Sequence, residues 1–236
     1  KRTHSFFENS PMKAEGAPGP DERALLEAVG VTDPDILDGE PVVPPVTEGD
    51  GNNRRTLRAA LKLLGEAGYT VTNGRLVDGQ GRPLTLEFLM FEPSFERIIA
   101  PYIRNLSRLG ISANMRIVDP AQYEQRVKAF DFDITTRRYA MRSTPGVELQ
   151  SYFSSHAAET PGSLNLSGIA DPAVDALIDS VTAPRDRPSL ERAAPALGRP
   201  LRAGRSRVPP ATKACHTIAL PANFAPATVK HADSRA

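Results

Sequence analysis

The hydrophobic period changes repeatedly through the middle of the chain, and this alternation constrains the fold more than any other feature. Residues 84–91 and 111–118 alternate apolar and polar side chains as half-buried strands do, and 131–136 is a third strand candidate. Between them, residues 94–109 and 119–130 repeat apolar side chains every three to four positions, as amphipathic helices do. Strands that alternate with helices predict an α/β layer with partly parallel pairing.

Residues that favour caps and turns predict where these elements end. Ser94 and Asp119 precede the two helices, and their side chains can accept hydrogen bonds from the free N–H groups of the first turn. Asn73 and Gly74 form a dipeptide that favours a tight hairpin turn, so two short strands are expected on either side of it.

The composition changes toward the end of the chain. The formal net charge is only +1, but residues 185–236 hold 10 Lys and Arg against 3 Asp and Glu. The same stretch is rich in Pro and has one aromatic residue, Phe224. Such a tail is expected to fold weakly, and Pro195 and Pro200 are expected to interrupt its helix.

Several function classes are disfavoured by what the sequence lacks. A single Cys excludes an internal disulfide, and four scattered His make a metal site improbable. We find no phosphate-binding loop or nucleophile elbow, so neither a cofactor nor a catalytic residue is expected. No apolar run is long enough to span a bilayer, residues 1–7 are not a signal peptide, and the small net charge predicts no nucleic-acid partner.

Two carboxylates in the third strand leave an enzymatic interpretation open. Asp131 and Asp133 would point to the same face of a strand, as an acid/base pair requires. Salt bridges and a turn at the end of the strand are the more common explanation, and we favour it.

The loop that follows this strand carries the best candidates for ligand binding. Arg138, Tyr139, Arg142, Ser143 and Glu148 combine cations, an aromatic ring, a hydroxyl and an acid just beyond a strand, where α/β proteins place ligands. Arg can pair with a carboxylate, Glu148 can hold an ammonium group, and Tyr139 can cover an apolar side chain. These groups suit a zwitterionic peptide, although an ordinary charged loop would have a similar composition.

Nine segments, taken together, resemble those of a known family. They occupy residues 1–10, 39–47, 57–69, 93–97, 106–111, 121–123, 130–133, 160–165 and 168–178. In order and content they resemble the C-terminal part of family 5 extracellular solute-binding proteins, of the peptide, oligopeptide or microcin C type. Such proteins are the substrate-binding components of ABC importers.

The resemblance implies a fold and a division into domains. The expected fold class is α/β, an incomplete lobe like those of type II periplasmic binding proteins, with the N-terminal portion missing. Residues 1–55 would be an extended wrapping segment and residues 56–183 the α/β lobe. Residues 184–236 would be a degenerate return segment toward the other lobe, poorly packed because the aromatic residues of the family are absent there.

The resemblance also implies a function, which is not enzymatic. The protein would capture short peptides in an interlobe cleft and deliver them to a membrane permease. It would be a periplasmic monomer that is peripheral to the membrane through the transporter, with a signal peptide outside this chain. Two alternatives remain open: a truncated fragment that binds nothing, and a small α/β hydrolase with Asp131 or Asp133 as base. The expected ligand-binding residues are Arg138, Tyr139, Arg142, Ser143, Glu148 and Asn165.

Overall fold

The computed structural model describes residues 5–8, 10–43, 45–46, 53–139, 144–183 and 186–204. The chain divides into two compact units. Residues 45–140 and 159–166 form the sheet unit; residues 1–44, 141–158 and 167–236 form the helical unit. Each unit combines segments that are distant in sequence. The predicted domains, by contrast, were continuous segments with limits at residues 55 and 183. Those limits stay predictions.

Helices and strands alternate in the sheet unit, and helices make up the helical unit. In chain order the elements are α1 (Pro20–Ala28), α2 (Pro34–Leu37), α3 (Arg54–Glu66), β1 (Thr70–Thr72), β2 (Arg75–Val77), β3 (Thr85–Met90), α4 (Glu96–Arg108), β4 (Ser112–Ile117), α5 (Pro120–Lys128), β5 (Ile134–Thr135), α6 (Glu148–Phe153), α7 (Ser155–Glu159), α8 (Pro172–Thr182) and α9 (Arg187–Ala203). None of these helices is both long and apolar enough to cross a membrane.

Three parallel strands form the centre of the sheet unit, as the alternating periods predicted. Their order is β4-β3-β5, and Phe88 of β3 lies opposite Met115 of β4 and Ile134 of β5. Because α4 connects β3 to β4 and α5 connects β4 to β5, the unit is built from successive β-α-β connections.

Helices cover both faces of this sheet. Phe88 belongs to a core cluster that also contains apolar side chains of α3 and α4. Leu89, the next residue, points to the opposite face and packs with Tyr123 and Val127 of α5. Both faces of β3 are therefore buried, which is why its residues 88–90 are continuously apolar.

The predicted turns and caps were confirmed with one exception. Asn73 and Gly74 both have positive φ, 50° and 76°, as the two-residue turn between antiparallel β1 and β2 requires. The Asp119 side chain accepts hydrogen bonds from the first turn of α5. The Ser94 cap is wrong: Ser94 lies within a short 3-10 turn, and the extended backbone that a cap needs occurs at Glu92.

The expected interruption of the last helix is also wrong. Helix α9 runs without a break through Pro195 and Pro200. Each proline removes a backbone donor, but Ala194 and Leu197 are fully buried, and α9 packs against α1 and α8. Burial of an apolar face thus outweighs the lost hydrogen bonds. The rest of the segment expected to be degenerate, residues 205–236, lies outside the described residues.

A buried arginine of α9 connects this helix to the early part of the chain. Arg199 is 2% exposed, and its Nε lies 2.7 Å from Oε1 of Glu22. Its two terminal nitrogens donate to the carbonyl oxygens of Gly39 and Gly16 at 3.1 and 3.0 Å. One turn on, Arg202 Nε donates to the Val42 carbonyl at 2.9 Å. Residues 14–42 are therefore attached to α9 by side-chain to backbone hydrogen bonds.

Candidate functional site

The carboxyl ends of the three parallel strands meet at one edge of the sheet. Met90, Ile117 and Thr135 end β3, β4 and β5 in turn. In open α/β sheets this is the edge where ligands bind, because the loops that leave it are free to vary without disturbing the sheet. We call it the carboxyl edge and take it as the candidate site of the sheet unit.

A hydroxyl network fixes the geometry of this edge. The buried Tyr123 phenol lies 3.0 Å from Oγ1 of Thr135 and 2.9 Å from the carbonyl oxygen of Thr136. The Thr135 hydroxyl donates to the Leu89 carbonyl at 2.9 Å. Helix α5 therefore holds the start of the loop after β5, and it also joins that loop to β3.

Apolar surface is exposed beside this network. The ring of Phe91, 37% exposed, packs against Tyr123 with centroids 4.7 Å apart. Ile117, at the end of the neighbouring strand β4, is 42% exposed. The Phe91 ring, on the face covered by α5, is an apolar surface against which an apolar side chain of a ligand could pack, whereas Ile117 lies on the opposite face of the sheet. Neither residue was predicted as part of a site, although each lies at the end of a predicted strand, which was a usable signal.

Two adjacent arginines at the carboxyl edge differ in their partners. Arg137 forms an ion pair with Glu124 of α5, with Nη1 3.3 Å from Oε1. Arg138 is exposed and forms no ion pair within the part of the chain that the structure describes. Arg138, the predicted contact, is therefore the one of the two arginines whose guanidinium is available to a carboxylate.

Tyr139 and Asn165, both predicted ligand contacts, lie close to one another through the fold. The Tyr139 hydroxyl donates to the carbonyl oxygen of Leu164 at 3.0 Å, so it ties the loop after β5 to residues 159–166. Asn165 is fully buried, and its backbone N–H donates to Oγ of Ser163 at 3.3 Å. In this structure Asn165 offers no surface to a ligand, so its direct contact stays a prediction that requires movement of the loop.

Glu148 belongs to the helical unit, where it is the first residue of α6. Its Oε1 atom is buried and has no hydrogen-bond partner in the part of the chain that the structure describes. A buried carboxylate oxygen without a partner is destabilising, and a cation placed beside it would remove that penalty. Arg142 and Ser143, the remaining two predicted contacts, lie outside the described residues.

Asp131 and Asp133, which kept the enzymatic interpretation open, precede β5 and are not in a strand as predicted, and both are engaged in the fold. Asp131 Oδ2 pairs with Arg126 Nε at 2.8 Å, and Arg126 also pairs with Glu87 at 2.8 Å. Asp133 accepts the backbone N–H of Glu87 at 2.8 Å. Hydrogen bonds to Asp131, and then to Glu87, raise the pKa of the Arg126 guanidinium. Asp131 is therefore in the salt bridge that we favoured, and Asp133 helps to position β3.

No metal centre is formed in the part of the chain that the structure describes, since no three His, Cys, Asp or Glu side chains come together there. The carboxyl edge does carry a guanidinium without an ion pair among the described residues and an exposed aromatic ring, which are groups that can bind a ligand.

Comparison with known proteins identifies relatives for most of the chain. No family model matches. A putative binding protein of Brucella suis is 39% identical over 211 residues, which are 89% of this chain and 34% of that protein. The probable peptide-binding protein YejA of Agrobacterium fabrum is 38% identical, with the same two coverages. The peptidoglycan-binding protein YepA of the same organism is 35% identical over 210 residues, again 89% and 34%. The chain thus spans about a third of the length of these relatives.

Solved structures with the same fold are binding proteins as well. A periplasmic oligopeptide-binding protein of Thermotoga maritima, with mannohexaose bound, matches with a TM-score of 0.58 and 16% identity. The match covers 88% of this chain and 46% of that one. The oligopeptide-binding protein AppA of Bacillus subtilis, in complex with a nonapeptide, gives 0.57 and 16%, over 87% and 44%. At identities this low the structural similarity supports the fold alone. That fold is a partial lobe of a periplasmic binding protein.

The sequence relatives and the shared fold agree with each other and with the expected resemblance. Along about nine-tenths of its length, the chain is similar to one part of the ABC-transporter binding proteins of the peptide and oligopeptide class, and the predicted resemblance to family 5 solute-binding proteins is confirmed.

Proposed function

We propose that the chain takes part in the capture of short peptides, as a component of a periplasmic peptide-binding protein that delivers them to an ABC permease. The observation that carries this proposal is Oε1 of Glu148, which is buried and has no hydrogen-bond partner among the described residues. A peptide supplies the missing partner, because its N-terminal ammonium is a compact cation with three donors. The names of the relatives and the nonapeptide bound to the Bacillus subtilis protein support the same ligand class.

The sheet unit, taken by itself, also carries groups that can bind parts of a peptide. The exposed Arg138 guanidinium can pair bidentately with a carboxylate. The exposed ring of Phe91 can cover an apolar side chain. We propose Arg142 and Ser143 as further contacts from the loop after β5, and Tyr139 as the residue that holds this loop in place through Leu164.

Calorimetry with short peptides tests this function. We expect wild-type binding and, in Glu148→Gln, a loss of affinity of about tenfold or more, because a charge-assisted hydrogen bond is worth about 1.5–3 kcal/mol. The matched control is Glu66→Gln, which removes the same charge from an exposed i,i+4 pair with Lys62. It should bind peptide like the wild type.

Two outcomes would count against the proposal. If no peptide of a broad library gives heat with the wild type, the non-binding alternative is favoured. If Glu148→Gln and Glu66→Gln lose affinity equally, the effect is one of net charge, and Glu148 holds no ammonium.

Peptidoglycan fragments are the second ligand class to be titrated, because one relative is named for binding peptidoglycan.

A further inference from the structure

Helices α3 and α4 place an unusual concentration of positive charge on one side of the sheet unit. Together they contain seven Lys and Arg and only two Glu. By contrast, the chain before residue 185 as a whole holds 19 basic and 25 acidic residues. The surface charge of these two helices is therefore opposite to that of the surrounding sequence.

The two helices present their cations in the same direction. Leu57 and Leu64 of α3 and Ile99 and Leu106 of α4 pack into one core cluster, that of Phe88, so both helices cover the same face of the sheet. The residues opposite these apolar positions consequently face away from the sheet on that side. They are Arg54, Arg55, Arg58 and Lys62 of α3 and Arg97, Arg104 and Arg108 of α4, all exposed; we call this set the basic face.

Little within the protein neutralises the basic face. Among the described residues, Lys62 has a carboxylate partner, Glu66, at 3.6 Å between exposed side chains. Arg108 donates to the amide oxygen of Asn105 at 3.3 Å. The other five arginines form no ion pair or side-chain hydrogen bond within the described parts of the chain. Their guanidinium groups remain available to an external anion.

Exposed apolar side chains border the basic face. Leu61 and Leu63 lie on either side of the cationic stripe of α3, because a helix turns about 100° per residue, and Leu63 is 58% exposed. On α4, Ile98 is 52% exposed. A helix with a cationic face flanked by exposed leucines has the chemistry of a segment that lies at a membrane surface.

We propose that the basic face binds directly to the surface of a membrane that contains anionic phospholipids. Guanidinium groups would pair with lipid phosphates, and Leu61, Leu63 and Ile98 would enter the boundary between headgroups and acyl chains. The apolar border favours lipid over a nucleic acid or an acidic protein loop, because neither of those would bury the exposed aliphatic side chains. This contact goes beyond the proposed function, in which the membrane is reached only through the permease.

Sedimentation with vesicles tests the proposal on the 236-residue chain. The probes are vesicles of phosphatidylcholine alone and of phosphatidylcholine with about a third phosphatidylglycerol, at about 0.05 M and about 0.5 M NaCl. The Arg97→Gln/Arg104→Gln/Arg108→Gln variant should bind anionic vesicles about a hundredfold more weakly at low salt, since each basic residue near such a surface contributes about a factor of five. The matched control, Arg82→Gln/Arg187→Gln/Arg192→Gln, removes three exposed cations elsewhere and should change binding less than about threefold.

A second variant separates lipid binding from general attraction to polyanions. Leu61→Gln/Leu63→Gln should reduce the vesicle binding that survives at high salt and leave retention by double-stranded DNA unchanged. Circular dichroism of each variant establishes that it is folded. Equal binding to neutral and anionic vesicles, equal losses in the two triple variants, or DNA binding as tight as vesicle binding with no effect of the leucine changes would each overturn the proposal.

Discussion

Replacement of Arg199 by Met should strongly destabilise the helical unit. The guanidinium is 2% exposed and serves the Glu22 carboxylate and two backbone carbonyl oxygens, those of Gly39 and Gly16. Met fills a similar volume without donors, so all three acceptors lose a charged partner. Removal of one member of a buried ion pair costs about 3–5 kcal/mol, because the remaining charge stays buried and unpaired.

Urea denaturation followed by circular dichroism measures this loss. We expect Arg199→Met to lower the free energy of unfolding by about 3–5 kcal/mol. The double variant Arg199→Met/Glu22→Leu should recover part of it, because it removes both charges of the pair. Arg187→Gln breaks an exposed i,i+4 pair with Glu191 on the same helix and should cost less than about 0.5 kcal/mol.

The result that would refute this reasoning is a small effect. If Arg199→Met costs less than about 1 kcal/mol, the ion pair contributes no more than a surface pair does. If the double variant is as unstable as the single one, the loss comes from the backbone carbonyls or from packing, and the Glu22 carboxylate is not the buried charge that matters.

Three further predictions concern the backbone and the pH dependence. Gly110→Ala should cost about 2 kcal/mol or more in urea denaturation, because φ is 82° there and a Cβ would lie 2.7 Å from the backbone nitrogen of Leu76; an unchanged midpoint would contradict this. Pro195→Ala should raise the free energy of unfolding of α9 by about 1 kcal/mol or more, because it restores a backbone donor within a continuous helix; destabilisation would show that the ring's packing matters more. Hydrogen bonds from the backbone and then the side chain of Arg82 lower the pKa of Asp78, so its stabilisation is present above the pKa of about 4 of unfolded Asp and is lost as pH falls through the folded pKa. Asp78→Asn should therefore reduce the fall in melting temperature at acid pH, and an unaltered profile would refute that contribution.

The arrangement of the sheet unit follows from local sequence patterns. Residues 84–91 and 111–118 alternate at the period of a strand, and parallel pairing follows because the helix between them must pack on the sheet. Asn73 and Gly74 tolerate positive φ, so the hairpin was also predictable. Ser94 shows the limit of such rules, because the preceding Pro93 starts a 3-10 turn that shifts the cap to Glu92.

Helix α9 could not be predicted because tertiary contacts override its local preferences. Pro195 and Pro200 disfavour a helix, and nothing local indicates that Ala194 and Leu197 are completely buried. The partners of Arg199 lie 160 to 183 residues away along the chain. Hydrophobic periodicity gives no information about contacts between residues so far apart in the sequence.

The positions of some candidate site residues were predictable, for a related reason, while their contact with a ligand stays a prediction. Arg138 and Tyr139 were identified from their position after a strand, and that position depends only on local pattern. Burial of Asn165 and of Oε1 of Glu148 depends on the packing of segments from different parts of the chain. The exposure of the Phe91 ring likewise depends on which neighbours pack against it. A sequence pattern therefore predicts the position of Phe91 at the end of a strand but not how much of its ring is exposed.

The proposed function requires that the Glu148 carboxylate receives the N-terminal ammonium of a peptide. Calorimetry with one peptide in two forms, with a free and with an acetylated N-terminus, tests it most directly. We expect binding of the free form and a loss of about tenfold or more on acetylation in the wild type, with a much smaller difference in Glu148→Gln. Equal affinity of the two forms for the wild type would contradict it.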